Sequence, residues 1–531
     1  MAVALAVAAP LAALPLSFVG GGEAFDEIAR TLLPDALRAS LVLALGVGAG
    51  TLVVGGGLAV LVSFYDFPGR RVLDWALVLP LAMPAYVLVF VILGQYDVAS
   101  PLQTTLFGQG LRLPGLRTPA GAIAVLTAVL YPYVYILGRS AFLGQSRQGL
   151  ESARCLGRSY LRAVRDVALP LARPALAAGA SLAVMEALAD FGTVNLLGVQ
   201  ALTNAIYRVW YGAFDQAAAL QLATVLVGLA LGMIAVERAL RGRARYEQAL
   251  AAGDAVVPRR LRGGRALAAA VPGFALLAVV FVVPVAQLLA WSAESVADGL
   301  DAAVLRRAAL NTVVLGVVTS VVALVTATTV AYGQRTRPSR VGRLSARVAT
   351  VGYAIPGTVV AVAVYVPMVG FDVRFKRLVE GIVGPGVGLV LTGTILGLVV
   401  AYVVRFHALG YLAVESAMVR ISPRLDEAAL SLGADRARLL SEVHLPLLRP
   451  GLLTAALLVL VEVMKELPAT ALLRPLSGDT LAIVVWDATK DARFDAAALP
   501  ALGIVAVGIL PVILLVRLLR REGWSAAAGR L

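Results

Sequence analysis

Two pairs of acidic residues stand four positions apart inside apolar stretches, Glu186 with Asp190 and Glu462 with Glu466. Residues at this spacing share one face of an α-helix. Carboxylates inside a membrane helix are costly and usually face a cavity or a partner, and their oxygens suit hard cations. One interpretation is that the pairs line an outer gate or a cation path. The other is that they cap a helix end, with Glu462 or Glu466 paired to Lys465 and external arginines.

Three tyrosines in another apolar stretch, Tyr131, Tyr133 and Tyr135, offer phenolic oxygens that are possible further ligands for a cation. Tyrosines in a membrane span more often anchor the helix or pack against neighbours. We therefore hold Tyr131 and Tyr135 as candidates for the path beside the acidic pairs, with packing as the alternative.

Residues able to build a catalytic or metal centre are scarce. Cys155 is the single cysteine, which excludes an internal disulfide, and the two histidines, His407 and His444, are far apart in sequence. We expect His444 to be a solvated polar residue. Since no nucleophile with a base and no metal cluster is evident, we expect no catalytic residue, no tightly bound metal and no cofactor on this chain. A membrane enzyme is disfavoured.

The elements that position these residues must lie in a bilayer. The chain has 531 residues, of which 60% are hydrophobic and 15% charged, and a water-soluble core cannot bury that much apolar surface. Apolar runs long enough to cross a membrane recur along it, which predicts an all-α polytopic protein with about 12 transmembrane helices. The predicted spans include 2–20, 73–94, 348–370 and 384–406. A cleaved signal peptide is the alternative for the first.

The net charge of +14 reflects the membrane and does not indicate nucleic acid. Lys and Arg concentrate in alternate loops and in the C-terminal tail, as the positive-inside rule expects. The basic loops and both termini are therefore predicted to be cytoplasmic. The pattern is typical of a multi-pass protein of a bacterial or archaeal cytoplasmic (inner) membrane.

The chain contains an internal repeat, because the pattern of residues 151–170 returns at 427–446, displaced by 276 positions. Nearer the start of each half the displacement is 272, as between Ser40 and Thr312. Each half has six predicted spans, so the two are parallel repeats about an axis along the membrane normal. The corresponding loop positions are Glu151 and Glu427, Gly157 and Gly433, and Pro170 and Pro446.

The repeat predicts three regions: a first transmembrane domain over 1–237, a basic cytoplasmic linker over 238–268, and a second transmembrane domain over 269–531. The linker is rich in arginine, so contact with lipid headgroups is an alternative to a simple tether. A transport route is expected between the two domains.

Each repeated loop reads as helix, turn, helix and then a proline that leads into the next span. Glu427, Ala428 and Ala429 favour helix, Gly433 permits a bend that we expect to be closely packed, and Pro446 suits the first turn of a helix. A short rigid helix pair of this kind is suited to docking.

The second loop, EAALSLGADRARLLSEVHLP, resembles the EAA signature of ABC importer permeases, and the first, ESARCLGRSYLRAVRDVALP, departs from it at Ser152. The resemblance implies the type I importer transmembrane fold, with both loops docked in grooves of ATPase subunits. The implied coupling residues are Glu151, Gly157, Pro170, Glu427, Ala428, Ala429, Gly433 and Pro446.

The resemblance also implies partners. The chain has no GxxxxGK[ST] phosphate loop, so ATP would be used by two copies of a separate cytoplasmic ABC ATPase, and an extracytoplasmic binding protein would deliver substrate. The segments MEALADFGTVNLLGVQALTNAIYRVWY and EVMKELPATALLRPLSGDTLAIVVW resemble the ferric-iron group of fused permeases. Thiamine, phosphonate, sulfate and polyamine permeases are related alternatives. An ion-coupled secondary transporter is the alternative from another class, which the paired loops oppose.

Overall fold

The computed structural model describes most of the chain, and nearly all of the described backbone is helical. In a bilayer only a helix or a closed barrel satisfies every backbone polar group, which explains the dominance of helix in so apolar a sequence. The described residues are 2–18, 23–96, 115–241, 257–297, 299, 302–336, 339–350, 352, 355–386, 388–475 and 478–528.

The elements up to the linker comprise long apolar helices and shorter connecting helices. They are α1 (Ala2–Leu16), α2 (Glu23–Thr31), α3 (Leu33–Phe64), β1 (Tyr65–Asp66), α4 (Arg70–Ala76), a 3₁₀ turn (Leu79–Ala82), α5 (Ala85–Tyr96), α6 (Pro119–Leu143), α7 (Arg147–Cys155), α8 (Tyr160–Ala163), a π-helix (Val164–Ala168), α9 (Leu169–Ala189), α10 (Gly192–Leu196), α11 (Leu202–Gly212) and α12 (Gln216–Arg241).

The elements from the end of the linker onward repeat much of this order. They are β2 (Arg259–Arg260), α13 (Gly264–Leu277), a π-helix (Ala278–Val282), α14 (Val283–Ala297), α15 (Ala302–Thr336), α16 (Arg340–Ala349), α17 (Gly357–Val383), α18 (Ile395–Val419), α19 (Pro423–Ser431), α20 (Arg436–Arg438), a π-helix (Leu439–His444), α21 (Leu445–Met464), α22 (Pro468–Leu473), α23 (Leu481–Lys490) and α24 (Phe494–Ala528).

The all-α polytopic class is confirmed, although two of the predicted spans take another form. Among the described residues, 10 helices are long and apolar enough to cross a membrane, or 11 if one bent pair counts as a span. The predicted first span is α1, an apolar helix of 15 residues with Pro10 and Pro15 inside it. That length is below the roughly 20 residues that a span requires.

The span predicted over 73–94 is bent in the structure. The chain there forms a helical segment, Arg70–Ala82, followed by α5, and the two are bent by 90°. Pro84 stands at the break, and Met83 before it is extended, with φ −101° and ψ 113°. Since the residue before a proline is disfavoured in the helical region, the helix ends there and restarts in a new direction.

Two other predicted spans begin later than expected. The span predicted over 348–370 is α17, and the span predicted over 384–406 is α18. Pro356 occupies the N-cap of α17, and the side chain of Thr394 caps α18 by accepting a hydrogen bond from Gly397 N at 3.3 Å. Hydropathy averages over such local start signals, and this explains the error in register.

The chain folds into two compact units, and each takes segments from both predicted halves. The first contains Met1–Pro34, Leu202–Val227 and Gly299–Asp487. The second contains Asp35–Ala201, Gly228–Asp298 and Ala488–Leu531. Within the first unit α1 packs on α16 and α17, and within the second unit α14 packs on α5 and α24. The compact units therefore do not coincide with 1–237 and 269–531.

Each unit is built around packed long helices that also carry one of the repeated loops. In the first unit α15 packs against α18 and α21, and in the second α6 packs against α9. Gly179 allows the close approach of α9 to α6, because a Cβ there would lie 2.6 Å from Val134 Cα. The loop in each unit thus extends from the end of a rigid helix pair.

The predicted linker over 238–268 lies partly outside the described residues, which omit 242–256. Its last part is tied to the second unit. β2 pairs in parallel with β1, with Tyr65 opposite Arg259 and Asp66 opposite Arg260. Leu261 N also donates to Asp66 O at 2.8 Å, so the end of the linker is fixed beside the end of α3.

Candidate functional site

The two repeated loops have the same sequence of elements. We call residues 147–168 the first loop and residues 423–444 the second loop. Each consists of a nine-residue helix, a glycine turn, a short α-helical segment and a π-helix that continues into a long helix, α9 or α21. Pro170 and Pro446 lie in the first turn of those long helices, where a missing backbone N–H costs nothing.

The turn in each loop depends on a glycine with a left-handed backbone. Gly157 and Gly433 both have φ +82°. The residue after each glycine donates back across the helix end, Arg158 N to Ala153 O at 3.1 Å and Ala434 N to Ala429 O at 3.0 Å. This six-to-one bond is the Schellman pattern that satisfies the last helical carbonyls.

The expectation of close packing at Gly433 is wrong. A Cβ at Gly433 or at Gly157 would meet nothing within 4 Å among the described atoms. The reason for glycine is therefore conformational, since other residues with a Cβ rarely adopt a positive φ, and the bend stands free of the bundle.

A leucine projects from each turn, and sequence reasoning did not single it out. Leu156 is 84% exposed and Leu432 is 88% exposed, each immediately before the turn glycine. Leu161 and Leu430 add further exposed apolar surface beside them. Contiguous exposed apolar side chains rimmed by polar residues mark interaction surfaces. The internal repeat carried the signal, because the two leucines occupy matching positions.

The other predicted coupling residues lie on the outer side of the same helices. Glu151 is exposed and pairs with Arg147 one turn earlier on α7. Glu427 and Ala428 are exposed on α19, and Ala429 is half-buried. The predicted residues of each loop thus follow one another along the helix, the turn and the start of the next long helix, and their part in coupling stays a prediction.

His444 is fully buried, so its expected solvation is wrong. Its exposed fraction is 0%, and its Nε2 lies 2.8 Å from Asp426 Oδ1. The tautomer that donates from Nε2 makes this a hydrogen bond to the carboxylate. The second loop folds back over α15, which places this position inside the first unit.

Glu466, the second acid of the later pair, is buried in an ion pair. Arg405 Nη1 on α18 donates to Glu466 Oε1 at 2.9 Å, and the side chains are 14% and 4% exposed. Ala469 N also donates to Glu466 Oε1, at 2.9 Å. The carboxylate therefore caps α22 and neutralises an arginine 61 positions away in sequence.

The remaining acids hold comparable local positions. Asp190 accepts from Thr193 Oγ1 at 3.0 Å and from Val194 N at 3.1 Å, so it caps α10. Glu462 pairs with Lys465 at 2.7 Å, as the capping interpretation proposed for Lys465. Glu186 is half-buried on α9. Asp190 and Glu466 thus do the same structural work in the two repeats, and a translocation role for the four acids stays a prediction.

The tyrosines point into the packed interior of the second unit. Tyr131 and Tyr135 are fully buried, and their hydroxyls donate to Leu77 O at 2.9 Å and to Asp74 O at 3.0 Å. Tyr133 is half-buried. The first two side chains therefore tie α6 to the segment before the bend. In the described ranges, no three of His, Cys, Asp and Glu come together as a metal site would require.

Comparison with known families gives a match to both repeats. The family model described as "Binding-protein-dependent transport system inner membrane component" matches residues 51–245 and 320–522. The two matched ranges together cover well over half of the chain, and each contains one of the repeated loops.

The names of individual relatives refer to different transported substances. The Fe(3+)-transport system permease protein FbpB 2 of Haemophilus influenzae is 24% identical over 508 residues, covering 94% of this chain and 92% of the relative. A probable molybdenum ABC transporter permease of Haloferax volcanii is 32% identical over 34% of this chain and 66% of its own length. The sulfate transport system permease protein CysT of Salmonella typhimurium is 26% identical over 45% of this chain and 89% of its own.

Proposed function

Because the chain belongs to the binding-protein-dependent transport system inner membrane components, and is thus the permease subunit of an ABC importer, we propose that it forms the translocation pathway for ferric iron. It is a multi-pass membrane transport subunit and not an enzyme. The proposal extends this shared role to a cargo, to the partners and to the way in which the loops act.

The observation that carries the coupling role is the pair of identical loop turns. Leu156 and Leu432 project beside Gly157 and Gly433 in the same backbone conformation. Each loop presents an exposed leucine at the turn of a rigid helix pair, with a second exposed leucine nearby, which suits insertion into a groove of a partner. One chain offers two such surfaces, so we propose that it binds two copies of an ABC ATPase on the cytoplasmic side, both termini lying on that side.

The mechanism that follows is alternating access. A binding protein outside the membrane delivers the cargo, the two ATPases close on ATP, and the loops transfer that closure to α9 and α21. The loops are continuous with these long helices through π-helices, so a displacement of a loop moves a membrane helix directly. The permease performs no chemistry, needs no cofactor of its own and holds no resident metal.

The relative that matches 94% of this chain supports ferric iron as the cargo. The relative named for Fe(3+) transport shares the fused two-repeat length, since 92% of it is covered. The relatives named for molybdenum and sulfate match less than half of this chain. In this proposal Glu186, Asp190, Glu462 and Glu466 lie along or beside the cation path, as carboxylates suit a hard ion, with Tyr131 and Tyr135 supporting the wall.

Uptake into proteoliposomes tests the cargo. The permease, its ATPase and its binding protein are reconstituted together, and uptake of radiolabelled ferric iron is measured with ATP inside. We expect ATP-dependent uptake that excess molybdate, sulfate or 2-aminoethylphosphonate does not reduce. Uptake of one of those anions in place of iron would replace the cargo and leave the permease role intact.

A further inference from the structure

The second loop is attached to the rest of the first unit by a charged cluster in which His444 is buried and Arg335 and Asp426 are half-buried. Asp426 receives two bonds from Arg335 at the end of α15, one from Nε to Oδ2 at 2.6 Å and one from Nη2 to Oδ1 at 3.1 Å. His444 Nε2 lies 2.8 Å from the same Oδ1. Arg335 also donates to Met418 O at 2.7 Å and to Ile421 O at 3.0 Å. One guanidinium thus joins α15, the end of α18 and the second loop.

The charges in this cluster are mutually satisfied. Burial alone raises the pKa of Asp426, but the hydrogen bonds from Arg335 and His444 and the charge of Arg335 hold that pKa below its usual value. A two-pronged contact between arginine and carboxylate is both strong and directional. The orientation of α19 relative to α15 is therefore fixed by geometry and not only by contact area.

The first loop has no such charges at the matching positions. The displacements of 272 and 276 residues relate Arg335 to Ser63, Asp426 to Leu150 and His444 to Ala168. All three are buried, and Leu150 and Ala168 belong to the same apolar cluster as Phe64 and Phe142. The three positions differ together, from a charged set in one repeat to an uncharged set in the other.

A tyrosine hydrogen bond also joins each loop to a long helix. The tyrosine belongs to the long helix in one repeat and to the loop in the other. In the second loop Tyr332 of α15 reaches out, and its hydroxyl donates to Arg436 O at 2.6 Å. In the first loop Tyr160 belongs to the loop itself, and its hydroxyl donates to Phe64 O at 3.0 Å at the end of α3. The matched docking surfaces are thus held to their helices by different chemistry.

We propose that Arg335, Asp426 and His444 are positioning residues for the second loop, which is held in its docking orientation by charge, whereas packing holds the first. The two surfaces are alike in outline and unlike in attachment, so loss of charge should release only one of them. This inference rests on the proposed docking function of the loops.

Spin labels at matched sites provide the test, because Cys155 is the single cysteine and is exposed on the first loop. Ser431 occupies the matching position on the second loop and is also exposed. One chain is labelled at Cys155, and another, carrying Cys155→Ser and Ser431→Cys, is labelled at position 431. Nitroxide mobility is measured on the full permease in nanodiscs, with and without the ATPase.

Asp426→Asn should release the second loop alone. Losing a charge-assisted hydrogen bond costs enough to raise the detached population about tenfold or more, so the mobile component at position 431 should grow while that at Cys155 is unchanged. Glu442→Gln, which removes an exposed charge from the same loop, is the matched control and should change neither label. Equal mobility before and after Asp426→Asn, or an equal rise at both labels, would overturn the proposal.

Two further variants separate positioning from general damage. His444→Gln retains a donor for Asp426 and should restore most of the order that His444→Ala loses. The triple change Arg335→Ser, Asp426→Leu and His444→Ala installs the first-loop set and should be more ordered at position 431 than Asp426→Asn alone. If the label at position 431 were as mobile in the triple variant as in Asp426→Asn, the proposal that the first-loop residues attach a loop by packing would be contradicted. If neither label responds to added ATPase, the docking role fails while the anchoring result still stands.

Discussion

At the scale of single residues, two glycines define the coupling surface through their backbone conformation. The loop motif identified these glycines in the sequence. The structure shows that glycine is needed there for its backbone conformation and not for close packing. Gly157 and Gly433 are left-handed and uncrowded, so the size of a replacement side chain matters less than its tolerance of positive φ.

Replacement of Gly433 should therefore follow conformational tolerance. Gly433→Asn should reduce transport-coupled ATP hydrolysis mildly, since asparagine visits the left-handed region. Gly433→Val, of similar size, should reduce it strongly, because a left-handed backbone costs an ordinary residue about 1–2 kcal/mol or more. Coupling is measured in proteoliposomes as ATP hydrolysed in response to the loaded binding protein. Equal defects would point to crowding by a partner, and the same pair of changes at Gly157 provides the internal comparison.

The sequence predicted the loop residues that occur in both repeats. It did not predict side-chain contacts between residues that are far apart in the chain. The loop glutamates, glycines and prolines were all found from spacing. The contacts of Arg335 with Asp426 and of Arg405 with Glu466 join residues 91 and 61 positions apart, and no local pattern encodes them. The prediction of a solvated His444 is wrong for the same reason, since its burial depends on α15.

At the scale of elements, the second acid of each pair has a similar structural role in both repeats. Asp190 and Glu466 each cap the short helix that follows a long one, and Glu466 also neutralises Arg405, which is 14% exposed. Sequence spacing predicted that the acids shared a helix face. It did not predict the breaks after α9 and α21, which place the second acid of each pair at a helix end.

Glu466→Gln should lower membrane abundance before it lowers transport. The glutamine still accepts from Ala469 N, but Arg405 is left buried without its counter-charge, a loss of about 3–5 kcal/mol for a buried pair. Glu462→Gln, whose partner Lys465 is more exposed, should leave abundance near normal. Abundance is measured by quantitative blotting beside iron uptake.

The double variant Arg405→Gln with Glu466→Gln decides between stability and transport. If the pair is only structural, removing both charges should restore much of the abundance and the uptake, because paired changes are not additive. Restored abundance with uptake still lost would instead assign the pair to the translocation path.

At the scale of the whole molecule, duplication was evident from the sequence but the exchange of segments was not. The repeat predicted two successive domains, whereas each compact unit takes segments from both halves. Hydrophobic patterns identify which segments are apolar and carry no record of which neighbour they pack on. The contacts of α1 with α17 and of α14 with α24 are set by tertiary packing alone.

The assembled importer should contain one permease chain and two ATPase subunits. Two loops of the same outline lie on one polypeptide, so a single chain supplies both docking surfaces. Native mass spectrometry of the purified complex measures the composition directly. Complexes with two permease chains, or with a single ATPase subunit under saturating conditions, would contradict the matched roles of the two loops.

Because each compact unit takes segments from both halves of the chain, the order of synthesis constrains when each unit can fold. α1 is synthesised well before the helices on which it packs, which begin at Arg340. At about 5–20 residues per second, synthesis of the intervening chain takes on the order of 15–60 s. During that interval α1, a short helix with two prolines, lacks its final neighbours. The first unit needs residues as far as Asp487 and the second needs Ala488–Leu531, so an amino-terminal fragment that ends before Asp487 completes neither unit and should yield no folded remnant for the cell to retain.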